Sequence, residues 1–231
     1  MLTVAETGST NADLLDLAAG GAEDGIWLRA ERQLSGRGRQ GRAWDSPAGN
    51  LYASHLVRLR AGDPPAASLA LVAAVALEEV IARLVSRGTM LKWPNDLLIG
   101  GAKISGILLE RVGDAVVIGI GVNVAHCPDL PDRAATSLAE QGAAITPAEL
   151  LERLAAMVEA WLSIWRGQGL APIVARWIER AHPAGTPLRA RLADGTSLDG
   201  TFETLAPDGA LVLRLADGTT RAIHAGDVFL V

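Results

Sequence analysis

The Asp-Gly pairs Asp194-Gly195, Asp208-Gly209 and Asp217-Gly218 punctuate the end of the chain. Each sits between short alternating runs, which is the signature of tight hairpin turns. The texture begins after Pro183, so residues 184–231 are expected to form a small all-β unit, a five-stranded barrel. Residues 1–183 read differently. Ser9 or Thr10 can cap a helix that Gly20-Gly21 ends. A strand is expected over 26–31, another over 51–59, and a helix from Pro64-Pro65 to about Ser86. A short strand follows at 89–93, then a hairpin of 97–99 and 103–111 around Gly100-Gly101, then a strand over 115–124. Thr146-Pro147 opens a helix to about Trp165, and a second runs over 170–181. Strand pairs mixed with helices predict an α+β body.

Composition narrows the class of function. The 231 residues carry 49% hydrophobic and 20% charged residues, as a packed soluble chain does. The formal net charge is -5, so no global basic field draws in nucleic acid, and any anion site must be a local cluster. Cys127 is the sole cysteine, which excludes an intrachain disulfide or a cysteine-built metal site. A reducing, cytoplasmic setting is the matching expectation. The opening residues show no basic region followed by an apolar stretch, so no leader is expected. The apolar stretch over 66–77 is too short to span a bilayer, so no membrane role is expected.

Three segments carry chemistry. Within the long segment 35–50, Gly36-Arg37-Gly38-Arg39-Gln40-Gly41-Arg42 alternates glycine with arginine. Glycine lets the backbone approach a ligand, and guanidinium forks suit phosphate or carboxylate. A solvated loop or a nucleic-acid patch would share that composition. The neighbouring Trp44 offers a ring for an adenine to stack on, although a core tryptophan is the plain alternative. Next comes Lys92-Trp93-Pro94-Asn95-Asp96, then Lys103 opening an apolar strand with Gly106 close behind. An ammonium there can meet a phosphate or a developing carboxyl–phosphate charge; it could equally be an edge lysine that blocks aggregation. Last, Gly119-Ile120-Gly121-Val122-Asn123 places two glycines and a polar Asn123 in an apolar strand. Asn123 needs hydrogen-bond partners from ligand or backbone. The spacing is not that of a dinucleotide fingerprint. His55, His126, His182 and His224 are scattered without metal-ligand spacing, and no catalytic triad is evident.

Together with Glu6-Thr7-Gly8-Ser9-Thr10-Asn11, these segments occur in the order found in biotin protein ligases, and the chain resembles that family over nearly its whole length. The resemblance implies a class II synthetase-like mixed sheet with flanking helices and an SH3-like C-terminal barrel. It implies that biotin and MgATP form biotinyl-5′-AMP, which then biotinylates a lysine of a biotin carboxyl carrier protein. It implies that Ser9, Thr10 and Gln33 hydrogen-bond the ureido end of biotin, and that Asn11, Gly36 and Gly106 also belong to the biotin site. Arg37 would close over the biotin carboxylate and phosphate, Arg39 and Arg42 would grip phosphates, and Trp44 would pack on adenine near Asn95 and Asn123. Lys103 would contact carboxyl and α-phosphate oxygens, and Asp96 would orient the acceptor lysine or help hold Mg²⁺. The arginine–glycine loop is expected to be disordered when empty and ordered by its anionic ligand.

The matching segments begin within ten residues of Met1, so a type without an N-terminal DNA-binding domain is expected, with no operator binding. A homodimer is possible within the family. Lipoate ligases or lipoyl/octanoyl transferases are the nearest rival, and a nucleic-acid module using the arginine loop is a more distant one.

Overall fold

The computed structural model describes residues 1–129, 134–192 and 194–230. Seven strands, β1 (Leu2–Thr7), β2 (Trp27–Gln33), β3 (Leu51–Arg58), β4 (Thr89–Lys92), β5 (Asp96–Ile99), β6 (Ala102–Val112) and β7 (Ala115–Val122), form one sheet. Their order is β1-β2-β3-β7-β6-β5-β4. Only the β1–β2 pair is parallel; the other neighbours run antiparallel. The expected α+β body is therefore present, with β1 added. The sequence reading left residues 2–7 unassigned, because β1 is a mostly exposed edge strand and lacks a buried apolar face.

Each face of the sheet is covered by helices. On one side α2 (Leu69–Ala82) and α3 (Pro147–Gln168) bury the large residues of β7, Val116, Ile118, Ile120 and Val122. Thr146 caps α3 in a capping box with Glu149, as its Thr-Pro start suggests. The expected helix after Pro65 begins with a 3-10 turn over Ala66–Ser68 and ends at Ala82, short of Ser86. On the other side α1 (Thr10–Ala19) packs Leu14 and Ala18 against Leu28, Leu56, Ala115 and Val117. The next residues of β7 on that side are Gly119 and Gly121. Two missing side chains leave a hollow at the end of α1, and the site occupies it.

After α4 (Ala171–Glu179) come β8 (Pro187–Arg191), β9 (Ser197–Leu205), β10 (Leu211–Arg214), β11 (Thr220–Ile223) and β12 (Asp227–Leu230). They make a second antiparallel sheet of five strands, ordered β11-β10-β9-β8-β12. The hairpin reading of the terminal unit gives these strands. Among the described residues no ladder joins β11 to β12. The unit is seated on the body: Trp177 packs at 6.4 Å from Phe202, and Trp93 Nε1 donates to the Gly209 carbonyl at 3.2 Å. Leu188, Phe202 and Val228 belong to the same apolar core as α2 and α3.

Candidate functional site

A cavity of about 630 Å³ opens beside Gly119 and Gly121, within the usual size of a small-molecule site. The residues given roles from the sequence all line it: Ser9, Thr10, Asn11, Gln33, Gly36, Arg37, Arg39, Arg42, Trp44, Asn95, Asp96, Lys103, Gly106 and Asn123, whereas Gln40 and Gly41 of the arginine loop do not.

The inner end is a polar network at the start of α1. Ser9 is its N-cap residue and makes no side-chain cap bond. Thr10 gives its backbone N–H and its hydroxyl to Gln33 Oε1, at 2.9 and 3.1 Å. Gln33 Nε2 donates to Ser46 Oγ at 3.1 Å, and Ser46 Oγ donates to the Trp44 carbonyl at 2.8 Å. Asn11 Nδ2 donates to Glu110 Oε2 at 2.8 Å, while its Oδ1 lies 2.6 Å from Ser54 Oγ. Glu110 also faces Arg37 at 3.5 Å. These buried amides and hydroxyls are held in fixed orientations, as recognition of a small polar head group requires.

Trp44 forms the middle wall. A Cβ on Gly121 would lie 2.7 Å from its ring, and one on Gly106 would lie 3.1 Å away. The two glycines are opposite each other in the β6–β7 ladder. They are the reason a flat indole can lie on this sheet. Lys103 Nζ sits 5.4 Å from the indole centroid and 2.5 Å from Asp96 Oδ1. A register shift in the β5–β6 ladder puts Lys103 there: Leu97 pairs with Ser105 but Leu98 pairs with Lys103. The extra residue, Ile104, turns into the core, and Lys103 is aimed into the cavity. Tyr52, also on the wall, donates to the Pro47 carbonyl at 2.8 Å. Burial pushes its phenol up to about 12, so it is no base at neutral pH.

The arginine segment is more ordered than its composition suggests. Arg37 and Ala43 form an antiparallel bridge. Trp44 N donates to the Gly36 carbonyl at 2.9 Å and Gly38 N to the Arg42 carbonyl at 2.7 Å. A 3-10 turn, Arg39–Gly41, tips this small hairpin, with Gln40 in the left-handed region at φ 57. Its side chains find anions within the chain. Arg39 lies 3.3 Å from Asp227 Oδ1 and Arg42 pairs with Asp227 Oδ2. Arg39 also donates to Asn95 Oδ1 at 3.4 Å and to the Gly226 carbonyl at 3.0 Å. Burial pushes the Arg39 guanidinium down, and Asp227 and Asp96 partly restore it. Asn123 spends its amide N–H on the Thr136 carbonyl at 2.9 Å, the backbone alternative for this residue.

Ser46, Ser54, Glu110 and Asp227 escaped the sequence reading. Ser54 had a signal, a hydroxyl in an apolar strand, and so had Glu110, a carboxylate directly after Ile107-Leu108-Leu109. Asp227 had none, since its partners lie about 190 positions away in sequence.

Comparison with known proteins gives a consistent family. The model of the biotin/lipoate A/B protein ligase family matches residues 6–123, and that of the biotin protein ligase C terminal domain matches residues 185–231. The chain is 40% identical to a biotin–[acetyl-CoA-carboxylase] ligase of Paracoccus denitrificans, over 98% of both chains. It is 34% identical to the bifunctional ligase/repressor BirA of Escherichia coli, covering 96% of this chain and 71% of that protein. A structure of the biotin protein ligase from Aquifex aeolicus in complex with biotin and ATP superposes with a TM-score of 0.89 at 25% identity. That match covers 100% of this chain and 98% of the other.

Proposed function

Because this chain belongs to the biotin/lipoate A/B protein ligase family, we propose that the cavity beside Gly119 and Gly121 is where its two ligase half-reactions take place. The protein is a biotin ligase, as its relatives are named, and it uses ATP, the nucleotide bound with biotin in the Aquifex aeolicus structure. In the first half-reaction a biotin carboxylate oxygen attacks the α-phosphorus of ATP. The bond to the bridging oxygen breaks, and pyrophosphate leaves with the electron pair. In the second, the ε-amine of an acceptor lysine attacks the carbonyl carbon of biotinyl-5′-AMP, AMP departs, and the amine loses its proton. A specific lysine of a biotin carboxyl carrier protein is the proposed acceptor.

The arrangement supports a division of labour. The Thr10–Gln33 and Asn11–Glu110 pairs, with Ser9 at the helix start, are assigned to the ureido ring. Arg37 and the backbone of Gly36 are assigned to the biotin carboxylate. Lys103, 5.4 Å from the Trp44 ring centroid, is assigned to the point where a carboxylate oxygen and an α-phosphate would approach each other. Its charge is fixed by Asp96 at 2.5 Å, so little reorganisation is needed when negative charge builds up. Trp44 takes the adenine face, with Asn95 and Asn123 beside it, and Arg39 and Arg42 take the phosphates.

Among the described residues no cluster of three His, Cys, Asp or Glu side chains could cage a metal. Mg²⁺ arriving with ATP would be held by phosphate oxygens and water, and Asp96 on the cavity wall is the carboxylate assigned to help hold it. When bound, the ion would neutralise phosphate charge. No helix among the described residues is long and apolar enough to cross a membrane.

The single observation that carries this reading is the convergence of Lys103, Trp44 and the arginine hairpin on one cavity. It is tested by ATP–pyrophosphate exchange with biotin or lipoate. Exchange is expected with biotin alone. Lys103→Ala should lower it roughly 10²–10³-fold while calorimetry finds biotin affinity nearly unchanged. Exchange driven by lipoate, or undiminished in the variant, would refute the assignment.

A further inference from the structure

We infer that Asp227, in the last strand of the C-terminal unit, is a positioning residue for nucleotide use. It holds Arg39 and Arg42 in the orientation from which they take the triphosphate, and so makes the C-terminal unit a wall of the ligase site. This rests on the reading of the cavity as the biotin and ATP site.

The placement of Asp227 is specific. Residue 227 opposes Arg191 in the β8–β12 ladder, so its position is set by strand pairing. Its side chain is only 10% exposed. One carboxylate oxygen, Oδ1, lies 3.3 Å from Arg39, and the other pairs with Arg42. The carbonyl of the preceding residue, Gly226, accepts a second Arg39 N–H at 3.0 Å. Arg39 reaches Asn95 with the nitrogen that faces Asp227, at 3.4 Å. A single guanidinium thus ties together the arginine hairpin, the segment after Trp93 and the C-terminal strand. The far end of β12 is held as well. The Phe229 ring meets two cations, Lys92 at 5.9 Å and Arg191 at 5.3 Å from its centroid.

Charge arithmetic favours positioning over competition. Burial is the main cause that pushes the Arg39 guanidinium down, and repulsion from Arg42 adds to it. One carboxylate shared between two guanidiniums stops them from splaying but leaves the cluster a net positive charge. An incoming phosphate therefore finds a preformed cationic pair and need not expel Asp227. The nearby Asp96 does not serve both arginines, because its own partner is Lys103 at 2.5 Å.

The test uses the full chain with Asp227→Asn, Asp227→Ser as a second neutral variant, and Asp227→Glu. In ATP–pyrophosphate exchange the neutral variants should raise the ATP KM about tenfold and move the biotin KM by less than about twofold. Glu should restore part of the loss. Trypsin should cut after Arg39 and Arg42 faster in the substrate-free neutral variants than in the parent. An unchanged ATP KM overturns the inference. A lowered ATP KM also overturns it, since Asp227 would then be a competitor for the arginines. If the parent shows no biotin-dependent exchange, the ligase reading fails by itself. The proteolysis arm still decides whether Asp227 holds the hairpin: equal cutting rates would deny it.

Discussion

At the scale of single residues, the molecule separates groups that meet the cavity from groups buried for packing. His55 belongs to the second kind. It stacks on Trp27 with centroids 4.4 Å apart, is 2% exposed, and has no hydrogen-bond partner at Nδ1. Burial pushes it down to about 4, against a small upward pull from a backbone hydrogen bond. The unfolded chain takes up that proton near pH 6.5. Between pH 6.5 and about 4 the unfolded state therefore holds more protons. Stability is full above that window, falls as pH drops through it, and levels off below. The part due to His55 is roughly 3 kcal/mol. Urea unfolding across this range should show a steeper loss in the parent than in His55→Phe, which keeps an aromatic ring against Trp27. Parallel curves would show that His55 does not titrate on unfolding. The place of Lys103 and Trp44 at the cavity was legible because an ammonium interrupts an apolar strand at 103 and an indole adjoins the glycine–arginine run at 44. Ser54 and Glu110 were less legible, since one polar residue in a strand does not reveal which partner it will meet.

At the scale of elements, β6 and β7 build the site through what they lack. Gly106 and Gly121 face each other across the ladder, and the indole of Trp44 fills the space above them. Gly121→Ala places a methyl 2.7 Å from that ring. Overpacking of this kind costs about 1–3 kcal/mol, and the relief available is to move Trp44. The variant should therefore raise the ATP KM more than the biotin KM, with a modest drop in unfolding midpoint. Equal effects on both substrates would remove Trp44 from the nucleotide wall. The glycines were visible in the sequence as points of close approach. The β5–β6 bulge was not. A plain alternation over residues 103–106 would put Lys103 and Gly106 on opposite faces, whereas the register shift brings both to the cavity. The arginine hairpin likewise looked structureless, because glycine-rich composition gives no sign of the Arg37–Ala43 bridge, and the side-chain partners Glu110 and Asp227 lie outside the segment.

At the scale of the whole molecule, the two sheets share one apolar core. Val228 and Phe202 of the C-terminal unit, Trp177 of α4 and Leu77 of α2 belong to it together. The Trp93–Gly209 hydrogen bond and the Asp227 pairings add polar ties across the same boundary. A shared core implies shared cooperativity. Thermal unfolding followed by far-ultraviolet circular dichroism and by tryptophan fluorescence should give one coincident transition. Two separated transitions would mean that the C-terminal unit is merely docked. The sequence by itself determined most element types, the change of texture near Pro183 and many of the residues that line the cavity, because hydrophobic period, turn residues and capping act within a few positions. The tertiary structure decided the edge strand β1, the side of the sheet on which Lys103 emerges, and the partnership of Asp227 with Arg39 and Arg42. Those depend on ladder register and on contacts between residues far apart in the chain, which local patterns do not encode.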